Sequence, residues 1–294
     1  MRPTRSLLLL FLLAGTASGA PLPELALTPR GATLRIAVTG DTGDGADEVA
    51  AAIGHLNASE PLDAIVLVGD NFYPCGVRTE HDARWSLVRP LTRIGIPIFP
   101  VLGNHDYCGG SDPEAQVRAT GVIPHWHFPA RQYTVRSPVV DFVFLETNGL
   151  AQGRPNSVAS AIRAAFAGSK KPWRIAIGHH PVVSSGYHGY FPRDEVRRVR
   201  TLVPALRDAH VDLYMCGHDH HLELIRGRML LLISGAGSRP IPPVKLRVNT
   251  VFPQEIRRER IGFAVVEISA ASMRFRMYDA AGKPKTDWIS GRAH

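Results

Sequence analysis

Short apolar runs recur along the chain, and each stops at a glycine followed by polar residues. The runs are Leu34–Thr39, Ala64–Val68, Ile96–Leu102, Arg174–Ile177 and Leu213–Cys216. Continuous apolar segments this short, bounded by turn residues, predict strands buried on both faces. Between them, Glu48–Leu56, Arg84–Thr92, Val158–Phe166 and Val196–Ala209 have helical character. That alternation predicts an α/β core. From about Tyr133 the helices give way for a stretch. Gln132–Val135 and Val140–Thr147 read as neighbouring strands, and the C-terminal third adds His221–Ile225, Met229–Ser234, Gly262–Ile268 and Ser272–Tyr278. Two packed mixed β-sheets flanked by helices, a four-layer α/β/β/α arrangement, use all of these elements.

The first twenty residues break the pattern. Arg2 and Arg5 precede the apolar run Leu7–Ala14, and small residues Gly15–Ala20 follow. Residues 1–20 therefore read as a cleaved signal peptide, and the mature chain as secreted or periplasmic. No apolar run reaches the roughly 20 residues that span a bilayer, so no membrane anchor is expected. Neither repeats nor linkers interrupt the rest, which makes 34–280 a single domain, with Pro240–Pro253 as a long loop at a rim or lid. With 45% hydrophobic and 20% charged residues, the chain is neither disordered nor fibrous. Its formal charge of +8 favours anionic ligands without naming one. The arginines at 197, 198, 200, 257, 258 and 260 form short clusters without interleaved aromatics, which suits a solvated helix face and not a nucleic-acid surface.

The polar ends of the five runs carry the chemistry. They are Gly40-Asp41-Thr42-Gly43, Gly69-Asp70-Asn71-Phe72-Tyr73, Gly103-Asn104-His105-Asp106, Gly178-His179-His180-Pro181 and Gly217-His218-Asp219-His220-His221. A single Gly-Asp at a strand end is more often a turn or cap, and a single histidine more often a packed core residue. Five such ends in order, after five apolar runs, argue against coincidence. In the last, His218 and His220 face the same way if strand geometry continues, with His221 turned aside and Asp219 structural. Two carboxylates, an Asn carbonyl, three imidazoles and the Tyr73 phenol form a mixed O,N set without thiolate. It suits two adjacent Fe, Zn or Mn ions bridged by Asp70. Asp44 and Asp106 are candidates to orient ligating groups, or else solvated loop residues. His125 and His127 either line the cleft mouth or pack around Trp126. Export permits a disulfide, and Cys75 and Cys108 are a candidate pair, with two unpaired thiols as the alternative. Cys216 reads as a buried free thiol.

In this order the five motifs resemble the calcineurin-like metallophosphoesterases, and more narrowly the small purple acid phosphatases of the tartrate-resistant type. Tyr73 is the discriminating residue, and the similarity covers about Leu34–Tyr278. The resemblance implies that Asp41, Asp70, Tyr73 and His220 hold Fe(III), while Asp70, Asn104, His179 and His218 hold a divalent Fe, Zn or Mn. It also implies that His105 and His188 are catalytic, contacting the phosphate of a small ester and protonating its leaving group. Hydrolysis of phosphate monoesters by a metal-bound hydroxide follows as the expected activity. A phosphodiesterase or nucleotidase could share every ligand, and a metal- or phosphate-binding protein without turnover is a third reading. The chain departs from the pattern at Ala176, His180, Tyr187 and the cysteine pair.

Overall fold

The computed structural model describes residues 21–151, 155–189, 201–252 and 260–291. The signal-peptide span 1–20, the start of the expected helix Val196–Ala209 and five of the six clustered arginines lie outside the described residues.

Thirteen strands form two mixed sheets among the described residues. In chain order they are β1 (Glu24–Ala26), β2 (Leu34–Thr39), β3 (Ala64–Leu67), β4 (Ile98–Pro100), β5 (Tyr133–Arg136), β6 (Val140–Phe144), β7 (Trp173–Ile177), β8 (Leu213–Cys216), β9 (Leu222–Ile225), β10 (Leu230–Ser234), β11 (Gly262–Ile268), β12 (Ser272–Asp279) and β13 (Trp288–Gly291). One sheet runs β1-β5-β6-β7-β8-β10-β9 and the other β13-β12-β11-β2-β3-β4. Parallel neighbours β6, β7, β8 and β10 form the centre of the first, and β2, β3 and β4 are parallel in the second.

The alternation of side chains along each strand accounts for the layering. In β6–β8, Phe142, Phe144, Ile175, Ile177, Leu213 and Met215 join the core between the sheets. Their alternates Val143, Ala176, Tyr214 and Cys216 pack on the opposite face, against Val158, Ile162 and Ala165 of α5 (Pro155–Phe166) and Leu202 and Leu206 in the helix at 201–208. Across the second sheet, α1 (Asp47–Ser59) buries Val49, Ala52, Ile53 and Leu56. Asp47 and Glu48 in its first turn complement the positive end of its dipole.

Four local features differ from expectation. Arg84–Thr92 is divided into a 3₁₀ turn, Ala83–Leu87, and a short α2, Arg89–Thr92. Pro90 supplies no amide to continue the first segment but suits the start of the second. Two short helices lie where no element was predicted: α3 (Pro113–Arg118), capped by Asp112 accepting the Glu114 amide, and α4 (Asn148–Ala151). Both sheets also run past the span 34–280, through β1 pairing with β5 and β13 with β12. No helix among the described residues is long and apolar enough to cross a membrane.

Candidate metal centre

The five motifs follow β2, β3, β4, β7 and β8. These strands are parallel within their sheets, so their C-terminal ends deliver polar side chains to one edge of the sandwich. Asp41 and Asp70 sit at φ 56° and 52°, a left-handed conformation that Asp tolerates better than most residues. Both carboxylates are buried. The sheets meet through Asp41, whose Oδ2 accepts the His218 amide at 3.0 Å, while within the second sheet Asp70 Oδ1 accepts the His105 amide at 2.9 Å.

Around Tyr73 the arrangement is short of protons. Its Oη lies 3.2 Å from Asp41 Oδ1, 3.2 Å from Asp70 Oδ2 and 3.2 Å from His220 Nε2. The Arg239 carbonyl, which can only accept, takes the His220 Nδ1 proton at 2.8 Å, so Nε2 presents a lone pair. With His220 neutral, one phenolic proton faces three acceptors; burial works against a charged His220, but Asp41 outweighs it and raises its pKa, so a cation or a second proton is demanded here. On the other side of Asp70, His179 Nδ1 likewise donates to the Val68 carbonyl at 2.8 Å. Its Nε2 faces Asn104 Oδ1 at 3.1 Å, His218 Nδ1 at 3.2 Å and Asp70 Oδ1 at 3.5 Å, so it holds either a proton or a cation there. Ring nitrogens fixed by backbone carbonyls so that the other lone pair converges on carboxylates are a metal-binding arrangement. Donor atoms of Asp41, Asp70 and His179 lie within 4.8 Å of one another. The residues present thus fit metal ions.

The electrostatics make the same demand. Burial and the carboxylates of Asp41 and Asp70 push the Tyr73 phenol far above its ordinary value, so a phenolate here needs a strong positive charge beside it. Burial opposes ionisation of Asp70, but His179 and the His105 side outweigh it and bring the carboxyl down to about 2. Burial also works against a charged His179, yet Asp70 and then Asp41 push it up to about 9. A cation would replace that proton.

The remaining predicted residues surround this cluster. His105 donates Nδ1–H to the Pro74 carbonyl at 2.7 Å and meets the Tyr73 ring edge-on, with centroids 4.7 Å apart. The His188 ring lies 3.8 Å from that of His218, and its amide donates to Asp219 Oδ1 at 3.0 Å. A Cys75–Cys108 disulfide, with Cα atoms 5.1 Å apart, joins the Tyr73 and His105 loops, while Cys216 is buried outside any disulfide. Asp106 is fully buried and accepts from the Gly103 amide at 2.8 Å, Gln116 Nε2 at 2.8 Å and the Asn71 amide at 3.3 Å. It therefore holds together the turns after β3 and β4 that carry Asp70 and Asn104.

The expected strand alternation of His218 and His220 does not occur. Strand β8 ends at Cys216, and His218 adopts φ 69°. The turn sends His218 to His179 and His220 to Tyr73, opposite halves of the cluster. His127 packs half-buried against Phe99, with centroids 5.7 Å apart, which is loop packing beside Trp126. The Pro-rich loop is tied down: Ile241 donates to the His220 carbonyl at 2.7 Å and Val244 to that of Ser185 at 2.9 Å. Sequence reasoning missed Arg239, whose side chain pairs with Asp44 and lies 5.6 Å over the Tyr73 ring. Its link to His220 is through a backbone carbonyl, which leaves no mark in a sequence.

A four-layer sandwich that gathers carboxylates, imidazoles, an amide and a phenol where its two sheets meet defines a metallohydrolase. The profile of the calcineurin-like phosphoesterases matches residues 34–222, and the chain belongs to that family, as a metal-dependent hydrolase of phosphoric esters. It is 27% identical over 270 residues to purple acid phosphatase 3 of Arabidopsis thaliana, covering 82% of this chain and 72% of that one. With tartrate-resistant acid phosphatase type 5 of Sus scrofa it shares 29% over 260 residues, 75% of this chain and 73% of the other. Two solved structures show the same fold. GAP50, described as the anchor in the inner membrane complex of Plasmodium, superposes with TM-score 0.75 at 24% identity over 90% of each chain. The purple acid phosphatase PPD1 from Lupinus luteus seeds gives 0.63 at 14% identity over 90% of this chain and 55% of that one.

Proposed function

We propose that the chain is a secreted, purple-acid-phosphatase-like enzyme that hydrolyses small phosphate monoesters at a pair of metal ions. The observation that carries this reading is the Tyr73 hydroxyl 3.2 Å from Asp41, Asp70 and His220. A buried phenol surrounded by three acceptors suits a trivalent ion that takes its phenolate. Asp41, Asp70, Tyr73 and His220 would hold Fe(III), and Asp70, Asn104, His179 and His218 a divalent Fe, Zn or Mn. When bound, such ions neutralise phosphate oxygens and acidify an attacking water.

The side chains do the rest. With Nδ1–H committed to Pro74, His105 offers Nε2 to the leaving oxygen. His188, beside His218, is the second histidine for the phosphate group. Asp70 anchors the His105 amide, so ligand and acid share one support. Residues 1–20 would direct export, which N-terminal sequencing of the mature protein checks.

The deciding experiment is a visible absorption spectrum with metal analysis, on the wild type and Tyr73→Phe, together with rates on a phosphate monoester and its diester analogue. Two metals per chain, a mid-visible band lost in Tyr73→Phe and faster monoester hydrolysis are expected. Two metals without a band, or faster diester hydrolysis, would sink this reading while leaving the family intact.

A further inference from the structure

Away from the metal cluster, a second buried ionisable pair stands at the start of strand β9: His221 just before the strand and Glu223 within it. They are 4% and 0% exposed, and neither belongs to the ligand set. The Glu223 carboxylate is saturated with donors. Oε1 accepts from Ser185 Oγ at 2.5 Å and Thr250 Oγ1 at 2.6 Å, and Oε2 from the Ser185 amide at 2.9 Å and His221 Nε2 at 3.0 Å. The Arg247 amide donates to Ser185 Oγ at 2.9 Å, which turns the serine proton toward Glu223. Arg247 also donates Nε to the Ser184 carbonyl at 2.8 Å and Nη2 to that of Gly189. The segment Ser184–Gly189 is thereby fastened on one side to β9 and on the other to the Pro-rich loop. Within it lies the 3₁₀ turn Tyr187–Gly189, which carries His188.

We propose that Glu223 is a positioning residue for His188: its carboxylate locks the Ser184–Gly189 turn against β9 and the Pro-rich loop, holding the His188 imidazole at the phosphate site. This rests on the reading of His188 as a phosphate-contacting histidine. The physical ground is that a carboxylate accepts from all four donors, while any apolar replacement leaves them buried without a partner. Glutamine keeps the shape and still accepts on one side, and both hydroxyls can reverse to meet its NH₂.

The test is a double-mutant cycle. Wild type, Glu223→Ala, His188→Ala and the double variant are assayed as metal-loaded full chains, with p-nitrophenyl phosphate and an alkyl phosphate as substrates and the metal counted per chain. Glu223→Ala is expected to lower kcat about tenfold with metal content unchanged, to lose less than about twofold more in the His188→Ala background, and to be largely restored by Glu223→Gln. Equal losses in both backgrounds would overturn the positioning role and leave the phosphatase reading standing. An active wild type in which His188→Ala loses nothing would overturn the proposal through its premise. Where Glu223→Ala does not fold, Thr250→Val removes one donor, keeps the carboxylate, and is read through the same cycle.

Discussion

Gly103 packs directly against Asp70: a methyl group on its α-carbon would stand 2.7 Å from the Asp70 carboxyl carbon. The contact is between a backbone and the one carboxylate shared by both halves of the cluster, so neither side can yield without moving a donor atom. Gly103→Ala should therefore remove metal and activity together, lowering kcat at least about 10²-fold at an overpacking cost of about 1–3 kcal/mol. Metal analysis and a thermal melt separate this from simple unfolding, which would abolish the folding transition itself.

His105 commits Nδ1–H to the Pro74 carbonyl, which leaves Nε2 for the substrate. His105→Ala should reduce kcat by about 10² to 10⁴ on an alkyl phosphate, whose departing alkoxide requires a proton. On p-nitrophenyl phosphate, whose leaving group needs none, the loss should be much smaller. Equal losses on the two substrates would count against the acid role.

The strand ends were readable because each combines a period-independent apolar run with a glycine stop, and β2 and β8 keep the bounds read from the sequence, Leu34–Thr39 and Leu213–Cys216. Ligand candidates could be listed for the same reason. How His218 and His220 reach the cluster could not be read, because the left-handed φ of His218 is a tertiary demand that no neighbouring residue announces. Strands β1 and β13 were missed since only three and four residues pair at sheet edges, too few for alternation to stand out. Glu223 left one trace, a charge within the otherwise apolar Leu222–Ile225. Its four donors come from segments 2 to 38 residues distant, which only the fold brings together.

The Cys75–Cys108 disulfide spans a sequence separation of 33, with His105 just inside the closed loop and Tyr73 just before it. Cross-linking a loop of that size restricts the unfolded chain, and the Cys75→Ser, Cys108→Ser variant should lose about 2–4 kcal/mol. Denaturant unfolding of the oxidised and doubly substituted proteins checks the figure. Since the Gly76 amide and Pro74 carbonyl already tie this loop to His105, kcat should fall much less than it does for His105→Ala.

Removing metal should destabilise the fold, because Asp41 and Asp70 are buried and would keep only the Tyr73 hydroxyl and nearby imidazoles to balance their charge. Metal at a hundredfold excess over its Kd contributes about 2.7 kcal/mol, or about 5 to 10 °C in Tm for a chain of this size. In the stripped protein protonated imidazoles supply substitute charge: His220, which Asp41 raises against burial, and His179, which Asp70 pushes up to about 9 against the opposing effect of burial. A group whose pKa rises on folding stabilises fully below its unfolded value, about 6.5, and loses that contribution as pH climbs through the folded one. The metal-free protein should accordingly melt lower at pH 9 than at pH 6.5, with the slope reduced in Asp70→Asn. The metal-loaded protein should lack this slope, since the ion then occupies the place of the His179 proton. Scanning calorimetry across that interval, with and without chelator, decides the matter, and parallel curves would show that His179 does not carry the charge in the empty site.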